Sequence, residues 1–114
     1  MANDDRLILI HCSCPDTVSA GRIANALVEE HLAACVQAIG GVTSTYRWQG
    51  NVESCTEVLL VIKTVATRFE AVRARIVAMH PYELPEIIAV DSAGAHAPYL
   101  DWVRTASSTG SVSS

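Results

Sequence analysis

A chain of 114 residues, half of them hydrophobic, is long enough for one domain with a core, and short enough that oligomerisation would add useful burial. A formal net charge of −4, with acids and bases scattered and no basic run among aromatics, argues against nucleic acid as a partner. The acidic opening residues lack the basic and apolar regions of a signal peptide, and the longest apolar stretches (7–10 and 58–62) are too short to span a bilayer, so the expected location is the cytoplasm and no membrane partner is expected.

Residues 6–14 read as a buried strand that Pro15-Asp16 stops. From Thr17 to about His31, Ala20, Ile23, Ala24, Leu27 and Val28 recur with helical spacing, and Asp16 or Thr17 stands where a cap belongs. Residues 34–48 are β-like, with Gly40-Gly41 predicting a bulge or bend, and Gly50-Asn51 marks a turn. Residues 52–64 follow as a long strand, with Val58, Leu60 and Ile62 on one face and Glu57, Leu59, Val61 and Lys63 on the other. The two segments pair as a long antiparallel hairpin. Thr67 and Glu70 have capping-box spacing ahead of a second helix whose apolar face holds Phe69, Val72, Ile76 and Met79, and His80-Pro81 ends it. Residues 86–91 are a short last strand, and Pro98 opens a final helix.

The order β-α-β-β-α-β plus a helix predicts an α+β fold: a ferredoxin-like sandwich over residues 1–105, with a disordered Ser/Thr/Gly-rich tail from 106 to 114. A hairpin of this length leaves backbone groups unpaired at an edge, so subunits are expected to join through it. The fold by itself selects no function.

The four cysteines, Cys12, Cys14, Cys35 and Cys55, match no zinc-finger or ribbon spacing and should be reduced in the cytoplasm. Cys12 and Cys14 alternate to one strand face, where two thiolates beside a His or Met suit Cu(I). Buried cysteines also serve simply as small hydrophobes. No Ser-His-Asp set or catalytic carboxylate pair stands out, so no enzyme is expected.

Six segments in order resemble the CutA family: Cys14-Pro15-Asp16, Leu32 through Val36, the pattern Ser44, Tyr46, Trp48 and Gly50, the strand from Glu57 through Leu60 to Ile62-Lys63-Thr64, the turn from His80 to Glu86, and Tyr99-Leu100 with Trp102. The resemblance spans residues 7–103. It implies a homotrimer shaped like the PII signalling proteins and a tie to tolerance of copper and other divalent metal ions, without catalysis. It also points to Cys12, Met79 and His80 as metal ligands, with copper the expected ion. Some relatives carry a second His where this chain has Met79, a soft donor that favours copper over zinc or nickel. Tyr46, Trp48, Glu57, Lys63, Tyr82, Glu86, Tyr99 and Trp102 form an aromatic and polar set that suits either a small-ligand cleft between subunits or the interface itself. The alternative function is a PII-like module that holds a small anionic ligand there through Lys63 and Arg47.

Overall fold

The computed structural model describes residues 5–108. The elements run β1 (Leu7–Cys14), α1 (Thr17–Glu29), β2 (Cys35–Trp48), β3 (Asn51–Val65), a 3-10 turn (Ala66–Arg68), α2 (Phe69–Met79), β4 (Ile88–Asp91) and α3 (Ala97–Ala106). One antiparallel sheet has the order β2-β3-β1-β4. This is the ferredoxin-like arrangement expected.

Strand alternation decides which residues meet the helices. Even-numbered residues of β1 and β3 (Ile8, Ile10, Cys12, Cys14, Val58, Leu60, Ile62) bury against Ala20, Ile23 and Leu27 of α1 and Val72 and Ile76 of α2. Odd-numbered Leu7 and Val65 pack with Val103 of α3, which covers only one end of the other face. Asp16 is the cap of α1: its side chain accepts the Ser19 amide at 2.8 Å and the Ser19 hydroxyl at 2.8 Å. The amide bond is the main cause of a carboxyl pKa below its ordinary value.

Three local expectations are corrected. No capping box opens α2: Thr67 lies inside a 3-10 turn, and the helix starts at Phe69 without a side-chain cap. The hairpin turns on Gln49 and Gly50, whose φ of 49° and 86° are the positive pair that a tight two-residue hairpin requires, and Asn51 already belongs to β3. Ala106 closes α3, and Ser107 is buried with its hydroxyl donating to the Val103 carbonyl, so the expected tail does not begin at 106. Residues 109–114 lie outside the described residues.

The bulge predicted at Gly40-Gly41 is present, and it sets the chemistry of one sheet face. Ile39 pairs with Leu59 and Val42 with Glu57, so β2 spends one extra residue there. Beyond it, even-numbered residues of β2 share a face with odd-numbered residues of β3, as the Tyr46–Glu53 pair shows. A regular ladder through the same sequence would carry Tyr46 and Trp48 to the helix side. Gly41 sits at φ 74°. Gly41→Val should therefore cost about 1–2 kcal/mol in a urea melt. Deleting Gly41 should cost less, because removal of the extra residue restores a regular ladder with both flanking registers unchanged. A deletion more damaging than the valine would contradict this account of the bulge.

Candidate metal centre and the adjoining cleft

The C-terminal end of β1 presents two thiols to the inside of the protein. Cys12 and Cys14 are both 0% exposed, and all four cysteines are free. The last turn of α2 brings His80 beside them. The two sulfurs and a ring nitrogen of His80 all lie within 4.8 Å of one another. Met79, the neighbouring residue, is half-buried and packs against the same core cluster.

A hydrogen bond to Cys14, followed by burial, drives the Cys12 thiol far above the ordinary range, and the nearby charges of Cys14, Glu86 and Glu57 push the same way. The same bond lowers Cys14. The donor set is soft: two sulfurs and an imidazole. This fits Cu(I), and it is short of oxygen donors for a hard ion.

Both nitrogens of the His80 ring are engaged. Nε2 lies 2.8 Å from the Ser13 carbonyl oxygen, and Nδ1 accepts the Tyr82 amide at 3.1 Å. A carbonyl can only accept and an amide can only donate, so the ring proton sits on Nε2 and the lone pair on Nδ1. The rings of His80 and Tyr82 stand 4.9 Å apart.

From Tyr82 the chain passes to the open face of the sheet. There a cleft of about 730 Å³ is lined by Ser13, Ser44, Thr45, Tyr46, Trp48, Glu53, Glu57, Tyr82, Glu83, Leu84 and Glu86. Glu57, only 7% exposed, accepts the Tyr82 hydroxyl at 2.5 Å. Burial, then this bond, raises the Tyr82 phenol well above its ordinary value. Glu86 accepts the Ser13 hydroxyl at 3.0 Å.

Within one chain the eight aromatic and polar residues singled out in the sequence divide into two groups. Tyr46, Trp48, Glu57, Tyr82 and Glu86 line the cleft. Lys63, Tyr99 and Trp102 gather at α3 instead, with the Lys63 ammonium 5.8 Å from the Tyr99 ring centre and that ring 5.5 Å from Trp102. Sequence reasoning missed Glu53 and Glu83. The cross-strand partner of Tyr46 could have signalled Glu53, given the hairpin register. The cleft carries four carboxylates, and neither Lys63 nor Arg47 lines it. That charge opposes the small anion of the alternative function.

Comparison with known proteins agrees with this architecture. The family model described as CutA1 divalent ion tolerance protein matches residues 8–106. The divalent-cation tolerance protein CutA of Thermus thermophilus is 46% identical over 100 residues, 88% of this chain and 95% of that one. Protein CutA of Homo sapiens is 44% identical over 92 residues, and the match spans 81% of this chain but 51% of the human protein. The crystal structure of CutA from Xylella fastidiosa superposes with a TM-score of 0.88 at 45% identity, covering 93% of this chain and all of that one.

Proposed function

This chain belongs to the CutA1 divalent ion tolerance family, and we propose that it captures a soft metal ion, copper in the first place, at Cys12, Cys14 and His80, with Met79 as a fourth soft donor. The supporting observation is the approach of two buried thiols and an imidazole to within 4.8 Å of one another. Thiolates in this environment select Cu(I) in a reducing compartment, which the cytoplasm supplies. The role is binding rather than catalysis. No helix among the described residues is long and apolar enough to cross a membrane.

The working unit is a homotrimer with PII-like shape. Its support is the open sheet face, where Ile39, Ile88 and Val90 are exposed and Leu59 and Val61 only half-buried. A sheet face this apolar needs cover, and α3 supplies it at one end only. The outer edge of β2, 14 residues long, offers backbone groups for the same association.

An anaerobic competition titration of the reduced protein with Cu(I), run on wild type and His80→Ala with native mass recorded, tests the reading. It predicts about one ion per subunit on a trimer and weaker binding by the variant. Absence of stoichiometric binding, or binding indifferent to His80, would sink it.

A further inference from the structure

We infer that Tyr82, held by Glu57, is a latch that keeps His80 out of metal coordination until it opens. This rests on the proposed Cys12, Cys14 and His80 site and concerns its regulation.

The reasoning starts from the two hydrogen bonds of the His80 ring. A neutral imidazole has one N–H and one lone pair. Here the lone pair on Nδ1 is covered by the Tyr82 amide. Coordination through Nδ1 requires that amide to leave. Coordination through Nε2 moves the ring proton to Nδ1, where it would face the same amide, donor against donor. Either way the contact between the His80 ring and the Tyr82 amide must break before His80 can serve as a ligand.

Tyr82 is not free to swing. Its hydroxyl is bound to the buried Glu57 carboxylate, and its ring rests on the His80 ring. Glu57 is fixed in turn on β3 as the partner of Val42, beside the bulge. The latch therefore spans from the metal centre around the edge of β1 into the acidic cleft, and any event in the cleft that draws Glu57 from Tyr82 frees His80. A site whose competent form is only partly populated binds with its intrinsic affinity reduced by that fraction. Glu57 and Tyr82 are positioning residues in this scheme and touch no metal.

Tyr82→Phe keeps the ring against His80 and removes only the hydroxyl bond to Glu57. A charge-assisted hydrogen bond is strong enough that its loss should tighten Cu(I) binding about tenfold and speed Cu(I) uptake from a chromophoric chelator. Glu57→Gln keeps an acceptor for the phenol but removes its charge, so its Cu(I) affinity should fall between those of wild type and Tyr82→Phe. In the wild-type protein, loading with Cu(I) should shift the Tyr82 amide proton away from its hydrogen-bonded position and raise its exchange rate. Three results would overturn the latch. The first is Tyr82→Phe binding Cu(I) no tighter than wild type while Cys12→Ser loses it, which leaves the metal site standing. The second is a Tyr82 amide whose shift and exchange are unchanged on loading, a measurement independent of how any variant folds. The third is a wild-type protein that takes up no Cu(I), which removes the metal site and the latch together.

Discussion

Cys12→Ser should lower Cu(I) affinity by more than about 100-fold while leaving the protein folded. Loss of an outer-shell partner alone costs about 10- to 100-fold in metal affinity, and Cys12 is proposed as a ligand itself. Its sulfur is fully buried and lies in the group with Cys14 and His80. Serine is close in size but hard as a donor, so it cannot replace the sulfur toward Cu(I). Its hydroxyl, placed in an apolar core, should cost about 1–3 kcal/mol of stability. Cys14→Ser should weaken binding comparably. Met79→Leu, which nearly conserves volume, should weaken it only several-fold and leave stability almost unchanged. Competition titration with parallel urea melts separates the two effects. A Cys12→Ser protein that holds Cu(I) as tightly as wild type would contradict the site.

Val61→Asp should convert the proposed trimer to a folded monomer. Val61 lies on the open face of β3, paired with Gln37 of β2 and His11 of β1, and is half-buried in the single chain. In the monomer an aspartate there still reaches water. In the proposed trimer its carboxylate would be drawn from water on the open face, and Lys63, the one cation of β3, is engaged with the Tyr99 ring. Burying an unpaired charge costs several kcal/mol, and the trimer would bear that cost three times. Native mass and far-UV circular dichroism should report one subunit with undiminished secondary structure. A persisting trimer would show that the subunits meet elsewhere.

The fold was legible because hydrophobic spacing carried it. The alternation through β1 and β3, the stripe from Ala20 to Leu27 and the Gly40-Gly41 bulge follow from local sequence, and each stands where expected. The misplaced details depend on distant partners. Thr67 and Glu70 have the spacing of a capping box, but the Ala66 amide is held by the Arg6 carbonyl and a 3-10 turn forms first. Residues 86–91 read as the last strand, but Glu86 accepts the Ser13 hydroxyl, 73 residues away, and β4 starts at Ile88. Ala106 and Ser107 have tail composition, and the hydroxyl-to-carbonyl bond of Ser107 secures the end of α3.

The candidate site was legible only in part. Alternation placed Cys12 and Cys14 on one face, and the end of a helix placed His80 near a turn. Neither could show that His80 reaches across 67 residues to the Ser13 carbonyl, or that its second nitrogen is taken by the Tyr82 amide. The same holds for Glu57: alternation put it on the open face, but its burial depends on Tyr82, 25 residues further along the chain. The division of Lys63, Tyr99 and Trp102 from the cleft is likewise a matter of where α3 packs.

The central claim is that two cysteine sulfurs and one histidine hold the ion. X-ray absorption at the copper edge of the Cu(I)-loaded wild-type protein reads that donor set directly. The account predicts at least two sulfur scatterers and one imidazole nitrogen, with one sulfur lost in Cys14→Ser. A first shell of oxygen and nitrogen only, or one that Cys14→Ser leaves unchanged, would contradict it.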